Sequence, residues 1–211
     1  DIDERWLIPF NIGTDSDRAL LLDFQATLEI KPEKAIKLEK DALAQIENIT
    51  ADNARLVSNL HANLGGLYRM NGHPDLAREH MEKSISLLDQ FNLLHINDSI
   101  PQIANYAMFL TEQQEPERGI SELQKLSGII KEYHSDDCLD YAKVQETLGT
   151  IYLRTANLPQ AKTHFKRAFK IYEKIWADEP EMIEAKYQEI QELYPQIGFC
   201  IGKNLSGLLT K

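Results

Sequence analysis

The sequence predicts an all-α fold of stacked helical hairpins, because one motif recurs in it with a period of 42 residues. The strongest copies are Leu64, Gly65, Tyr68, Ala77 and Met81, and Leu148, Gly149, Tyr152, Ala161 and Phe165. Weaker copies begin at Leu22 and Tyr106, and the prolines Pro32, Pro74 and Pro116 keep the same spacing. No long apolar run typical of a buried strand is present. Such a period indicates units that pack mainly on their neighbours.

Eight helices in four hairpins are predicted from start and stop signals. A proline is tolerated in the first turn of a helix and costs about 3 kcal/mol inside one, so each repeat proline marks the start of a second helix. The first helices begin at capping residues and acids, such as Asp15 or Ser16 for the first and Asp136 and Asp137 for the seventh. The predicted helices are residues 16–30, 32–47, 52–71, 74–92, 99–113, 116–133, 136–155 and 159–176.

The period divides residues 16–183 into four repeats, which are 16–57, 58–99, 100–141 and 142–183. Residues 1–15 hold an apolar cluster, Trp6 to Phe10, followed by a turn. They are interpreted as a strap over the exposed face of the first repeat or as a linker from a preceding domain. Residues 177–211 are predicted to form a charged capping helix that ends at Pro195, then a tail that is either part of the cap or a truncated repeat.

Composition excludes several classes of partner. The formal net charge is −10 and the isoelectric point is near 5.1, so nucleic acid and anionic membranes meet net repulsion. Cys138 and Cys200 lie far apart and outside metal-binding spacing, as in a reduced cytoplasmic protein. No stretch approaches the roughly 18 apolar residues of a membrane span. We therefore predict a cytoplasmic protein that binds neither nucleic acid nor membrane.

No motif for catalysis or metal binding is found. The segment Gly198–Lys203 is one residue shorter than a phosphate-binding loop and lacks its Ser or Thr. The six histidines have no paired-ligand spacing and are interpreted as surface or turn residues; they are His61, His73, His80, His95, His134 and His164. The chain is predicted not to be an enzyme and to need no cofactor or metal.

The recurring motif resembles that of the tetratricopeptide repeat family over residues 16–176. Leu64-Gly65, Tyr68 and Ala77, with their copies 84 residues later, fall at the family's spacing. Two positions depart from the family pattern. Its Trp position holds Ala19, His61, Ile103 and Gln145, and its closing Pro position holds Glu47, Asp89, Lys131 and Glu173. Loss of that proline lets the second helix run on, consistent with a period of 42 against the family's usual length of about 34.

The long repeats are similar to those of kinesin light chains and of bacterial signalling ATPases. This resemblance implies an α-α superhelix, a tetratricopeptide solenoid of four helical hairpins plus a C-terminal capping helix. Its first helices line a concave groove. The candidates for ligand binding in this groove are residues of the first helices that lie outside the apolar stripe. They are Asn59, Asn63, Gly66, Arg69, Asn105, Met108, Lys143, Thr147, Thr150 and Arg154.

Two kinds of groove residue carry a specific expectation. Kinesin light chain repeats place an Asn before the motif Leu, where its amide clamps a peptide main chain; Asn63 and Asn105 match that position and Thr147 does not. The three cations of the set are suited to an acidic side chain or a C-terminal carboxylate. The alternative for all of these residues is a solvated helix face.

The resulting prediction is a non-catalytic scaffold that binds a peptide or a partner's helix in this groove. An alternative is a sensor or effector-recruiting domain of a larger signalling ATPase or of a peptide-controlled transcription regulator. A third possibility is an accessory subunit of an enzyme. The residues leave the partner, the pathway and the oligomeric state open.

Overall fold

A computed structural model describes residues 13–193, and this part of the chain forms nine α-helices and no β-strand. The helices are α1 (Asp15–Leu28), α2 (Pro32–Ala44), α3 (Ala54–Met70), α4 (Pro74–Gln90), α5 (Ser99–Glu112), α6 (Pro116–Tyr133), α7 (Leu139–Arg154), α8 (Leu158–Ile175) and α9 (Pro180–Leu193). The predicted all-α fold is confirmed. None of these helices has the length and apolarity needed to cross a bilayer. The apolar cluster before Gly13 and the tail from Tyr194 onward lie outside the described residues.

The chain forms two compact units, one ending at Tyr106 and the other beginning at Ala107. In the first unit α1 packs on α2, α2 on α3, and α3 on α4. In the second unit α6 packs on α7, α7 on α8, and α8 on α9. Sequence neighbours therefore pack on one another within each unit, as a repeat protein requires.

The ninth helix has a charged outer surface. It buries Ile183 and Ile190, whereas Glu181, Glu189 and Glu192 are exposed. Lys186 is half-buried instead, and its Nζ lies 3.0 Å from Glu146 Oε1 on α7. An ion pair therefore accompanies the apolar contact between α9 and the fourth hairpin.

Small residues allow the two helices of a hairpin to approach closely. A Cβ atom added at Gly65 would lie 2.6 Å from Met81 Cγ, and one at Gly119 would lie 2.6 Å from the carbonyl oxygen of Ala107. These separations are shorter than any real Cβ contact, so the glycines permit backbone approaches that alanine would prevent. The packing role predicted for these positions is confirmed.

Each of the last three hairpins turns through one residue in the left-handed backbone conformation. Gly72, Gln114 and Ala156 occupy this place, with φ of 73°, 65° and 59°, and follow one another at the repeat period. In each case the next backbone N–H donates to the carbonyl five residues earlier, as from Asn157 N to Tyr152 O at 2.7 Å. This hydrogen bond satisfies one backbone carbonyl at the end of the first helix and directs the chain into the second helix of the hairpin.

The predicted capping residue of the first helix and the predicted start of the seventh helix are wrong. Thr14, not Asp15 or Ser16, caps α1, because its hydroxyl accepts from Asp17 N and its N–H donates to Asp17 Oδ2, both at 3.1 Å. The seventh helix begins at Leu139, with Cys138 as its cap. Asp137 lies before the helix and pairs with Lys174 of α8 instead. A contact from the second helix of the same hairpin therefore competes for the acid that the local sequence assigns to the helix start.

The interpretation of all six histidines as surface or turn residues is also wrong for His61, His80 and His164, which are half-buried. His61 Nδ1 lies 2.9 Å from His80 Nδ1, and His164 Nδ1 lies 2.9 Å from Gln145 Oε1. Both pairs bridge the helices of a hairpin, and His61 and Gln145 occupy the position of the family's Trp. A hydrogen-bonded polar pair therefore lies between the two helices in both of these hairpins.

Candidate functional site

The first unit contains a cavity of about 230 Å³ formed by α3, α4 and the start of α5. Its lining residues are Ala62, Gly66, Arg69, Met70, Met81, Ser84, Gln102 and Asn105. Gly66, Arg69 and Asn105 belong to the groove predicted from the sequence. The structure thus brings three of the predicted residues together at one concave surface, which we call the Gly66 cavity.

Gly66 keeps this cavity open. No atom lies within 4 Å of the place where its Cβ would stand, in contrast to the crowded position of its neighbour Gly65. A glycine inside a helix is roughly 1 kcal/mol less favourable than alanine. Since packing does not require Gly66, the effect of the missing side chain is to leave space between helices.

A hydrogen-bonded network forms the polar side of the cavity, with Gln102 at its centre. Gln102 Oε1 accepts from Ser58 Oγ at 2.8 Å and from Ser84 Oγ at 2.6 Å. Gln102 Nε2 donates to Asn59 Oδ1 at 2.6 Å. These bonds hold the amide of Gln102 in one orientation, and the predicted groove residue Asn59 supports this lining residue without lining the cavity itself.

Of this network only Asn59 is among the predicted groove residues, although the repeat alignment contains a signal for Gln102 and Ser84. At the position of Gln102 the second and fourth repeats have Leu60 and Val144, which are completely buried. At the position of Ser84 the following repeat has the buried Leu126. A polar residue where other repeats bury an apolar one is the pattern that reveals the site.

Asn63 does not line the Gly66 cavity. Its Nδ2 donates to Asp23 Oδ1 at 2.9 Å and to Glu39 Oε1 at 3.1 Å, so it joins α3 to both α1 and α2. Glu39 is only 2% exposed, and its Oε2 has no hydrogen-bond partner. Burial, with a smaller effect of Asp23, raises the pKa of Glu39 to about 8. At neutral pH this carboxyl group is therefore mainly protonated.

The other predicted groove residues lie in the second unit, on α5 and α7. Met108 and Thr150 are half-buried, and Thr147 Oγ1 donates to the carbonyl of Lys143 at 3.0 Å. Lys143 lies 3.7 Å from Asp140, and Arg154 lies 3.4 Å from Glu112. Both predicted cations of this unit thus have acidic neighbours within the fold. A ligand carboxylate there competes with these existing ion pairs.

Within residues 13–193, no three His, Cys, Asp or Glu side chains converge to hold a metal ion. The half-buried histidines have their pKa values lowered, mainly by burial. For His61 the neighbouring His80 and Lys83 add to burial and bring the pKa to about 4. These imidazoles are neutral at pH 7 and hold helices together.

Residues 99–174 match the family model of the tetratricopeptide repeat. No curated protein matches the sequence significantly. Among solved structures, the chain is similar to the crystal structure of BtubC (BKLC) from P. vanneervenii, with a TM-score of 0.70 over 92% of this chain and 78% of that chain. The two sequences are 19% identical, so the likeness shows a shared fold.

Proposed function

The chain carries tetratricopeptide repeats over residues 99–174, and from this premise we propose that it is a non-catalytic scaffold that binds a peptide or a partner's helix. Repeats of this family generally mediate protein–protein interactions. The resemblance of the long repeats to kinesin light chains and signalling ATPases stays a prediction, as does the cytoplasmic location. The proposal places the ligand at the Gly66 cavity of the first unit.

The open space at Gly66 is the observation that carries the proposal. A volume of about 230 Å³ lies below the roughly 300–1,000 Å³ of sites for small molecules and cofactors. The cavity is therefore suited to one or two side chains of a larger ligand. Ala62 and Met81 supply apolar wall, and Met70, which is 82% exposed, extends it toward solvent.

Polar residues at the same cavity are suited to the main chain of that ligand. Asn105 is exposed there, and its amide is able to donate and accept at once, as a peptide bond requires. Arg69 adds a cationic group that favours a ligand with an acidic residue beside its anchoring side chain. Asn105 is thus the better candidate for the predicted main-chain clamp, because the amide of Asn63 is used within the fold.

The experiment is selection of binding peptides from a displayed random library, followed by affinity measurements on variants of the full chain. Gly66→Leu fills the cavity, and we expect it to weaken the selected peptides at least tenfold. Gly128→Leu is the matched control, because Gly128 is also a helical glycine with no atom within 4 Å of its Cβ position. Far-UV circular dichroism checks that both variants keep their helices. Equal affinity of the parent chain and Gly66→Leu for the selected peptides would show that they do not bind at the Gly66 cavity.

A further inference from the structure

We propose that the exposed face of α8 is a docking surface for an acidic protein segment. Four lysines follow one another at four-residue intervals along this helix, and an arginine lies beside them; they are Lys162, Lys166, Arg167, Lys170 and Lys174. Residues at this interval share one side of a helix, and all five side chains are exposed. We call this surface the α8 basic face. It belongs to the second compact unit and the Gly66 cavity to the first, so the inference does not rest on the ligand proposed for that cavity.

The charge of the α8 basic face is opposite to that of the whole chain. The net charge is −10, whereas α8 contains five basic residues and one acid, Glu173. The next helix, α9, has four glutamates and one lysine. A local positive surface on an acidic chain attracts acidic ligands to one place.

The packing of the repeats does not account for these lysines. The buried side of α8 is formed by apolar and aromatic residues such as Phe165 and Tyr172. At the positions of Lys166 and Lys170 the three earlier repeats have no charge in common; they hold Lys40, Glu82 and Gln124, and Ala44, Ser86 and Gly128. The α8 basic face is therefore a property of the fourth hairpin and not of the repeat.

The lysines of α8 repel one another. Like charges four residues apart are neighbours on the helix surface, and their repulsion destabilises the helix. Among the residues that the structure describes, only Lys174 of the five cations forms an ion pair, with Asp137. Lys162, Lys166 and Lys170 thus carry positive charge that the described fold does not neutralise. An acidic ligand relieves this repulsion when it binds.

The spacing of the lysines indicates how the acids of the ligand are arranged. Successive lysines lie about 6 Å apart along α8, since the helix rises about 1.5 Å per residue. Side chains on one face of an extended segment recur every two residues, at about 6.6–6.8 Å. Carboxylates at alternate positions of an extended segment therefore oppose successive lysines along the helix.

Three observations favour an acidic protein segment over a membrane or a nucleic acid. The apolar side of α8 packs on α7, so it is not available to enter a bilayer. The aromatic side chains of α8 are all buried or half-buried, so the bases of a nucleic acid have no exposed ring to stack on. A short acidic segment contacts α8 alone, whereas an extended polyanion also meets the negative charge of the rest of the chain.

The test measures binding of a fluorescent peptide of alternating glutamate and serine to the full chain by anisotropy. A peptide of alternating lysine and serine is the control ligand, and we expect the parent chain to bind the glutamate peptide alone. Affinity should fall at least about tenfold between about 0.02 and 0.3 M salt, because the Debye length shortens over this range.

Two double variants locate the binding surface. Lys166→Glu with Lys170→Glu should weaken the glutamate peptide at least about tenfold, because it reverses the charge at the centre of the α8 basic face. Lys34→Glu with Lys37→Glu is the matched control, since it changes the net charge equally at two exposed lysines of α2. It should change the affinity less than about twofold. Far-UV circular dichroism checks that both variants keep their helices.

Three results would overturn the inference. One is the absence of binding by the parent chain at low salt. Another is an equal response of the two double variants, because the peptide then does not depend on the α8 basic face. The third is tighter binding of phosphatidylserine vesicles or of a single-stranded oligonucleotide that is lost in the α8 variant, since the ligand is then another polyanion. Gly66→Leu should leave the glutamate peptide unaffected, so failure here is distinguishable from failure of the proposed function.

Discussion

His61 and His80 face each other across the α3–α4 hairpin with their Nδ1 atoms 2.9 Å apart, a separation that needs one nitrogen to donate and the other to accept. His80 also stacks on Tyr68, at a ring separation of 5.4 Å. The fourth hairpin repeats the arrangement with Gln145, His164 and Tyr152. The same hydrogen-bonded contact across a hairpin thus occurs twice. The histidine of the second helix meets the titratable imidazole of His61 in one hairpin and the amide of Gln145 in the other.

His61→Gln should make the protein less sensitive to acid. Burial first, then His80 and Lys83, lower the pKa of His61 to about 4 from an ordinary value of 6.5. Between pH 6.5 and 4 the unfolded chain binds a proton that the folded chain excludes, so stability falls as the pH falls. The loss is at most about 3 kcal/mol, since one pKa unit corresponds to about 1.4 kcal/mol.

Urea unfolding at pH 4 to 7.5 measures this effect. Glutamine reproduces the contact of Gln145 and does not titrate, so the variant should be close to the parent at pH 7 and more stable relative to it at pH 4.5. His134→Gln, at an exposed histidine, serves as the control. The same pH slope in His61→Gln and the parent would contradict the prediction.

Glu39→Gln should have the opposite pH dependence. The pKa of Glu39 is raised to about 8 from 4.5, so between these values the unfolded chain has lost a proton that the folded chain retains. Stability therefore falls as the pH rises through this window. A glutamine amide carries no charge and retains an oxygen to accept from Asn63. We expect the variant to be about 1–3 kcal/mol more stable than the parent at pH 8 and similar to it at pH 4.5.

Denaturant titrations at pH 8 and pH 4.5 measure the free energy of unfolding of Glu39→Gln and of the parent. Glu33→Gln, on the exposed side of α2, should show no comparable gain. A Glu39→Gln variant that is less stable than the parent at pH 8 would show that the buried carboxyl is ionised and stabilising.

Asn63→Ala and Asn105→Ala should separate folding from binding. Removal of the Asn63 amide leaves the half-buried carboxylate of Asp23 and the buried carboxyl of Glu39 without its hydrogen bonds, at a cost of about 1–3 kcal/mol in the free energy of unfolding. Asn105 is exposed, so its removal should change stability by less than about 0.5 kcal/mol and weaken a bound peptide. Thermal unfolding and peptide titration of both variants provide the comparison. An unchanged unfolding temperature for Asn63→Ala would refute the structural role.

Gly119→Ala and Gly128→Ala, both on α6, should change stability in opposite directions. A Cβ at Gly119 meets the backbone of Ala107, which cannot rotate away, so we expect a loss of about 1–3 kcal/mol. A Cβ at Gly128 meets nothing within 4 Å, so helix propensity should stabilise the variant by about 0.5–1 kcal/mol. Chemical denaturation of the two variants and the parent measures the sign of each change in the free energy of unfolding. A neutral Gly119→Ala would mean that α5 and α6 separate readily.

Ala156→Gly should stabilise the fourth hairpin. Ala156 has φ of 59°, a conformation that costs an L-residue about 1 kcal/mol and glycine little. The equivalent residue of the second hairpin is Gly72. We expect a gain of about 0.5 kcal/mol after the greater freedom of glycine in the unfolded chain is included. Thr155→Gly, where φ is −93°, should instead destabilise, and a calorimetric comparison of the two tests the reasoning.

The helix order was predictable because its signals are local. The signals lie within each hairpin and recur every 42 residues; they are a proline in the first turn of the second helix, apolar periodicity and small residues. The second helix predicted for the third hairpin, residues 116–133, agrees with the observed Pro116–Tyr133. The start of α7 was not predictable in this way, since Asp137 pairs with a lysine 37 positions away. A helix start predicted from neighbouring residues alone takes no account of this distant lysine.

The candidate site was predictable only in part. Gly66, Arg69 and Asn105 follow from their register on first helices, and the structure places all three at one cavity. The separate roles of Asn63 and Asn105 do not follow, because both occupy the same motif position. Asn63 is bonded to Asp23 and Glu39, whose equivalents in the next repeat are Gly65 and Met81.

By itself the sequence determined an all-α array of hairpins, because periodicity, proline placement and small residues are properties of neighbouring positions along the chain. Only the tertiary structure decided which polar residues lie at a cavity and which are used within the fold. Gln102 meets Ser58 and Asn59 from more than 40 positions away, and Glu39 becomes neutral through burial. Hydrogen-bond partners and local dielectric depend on residues brought together by packing, and no local pattern in the chain records them.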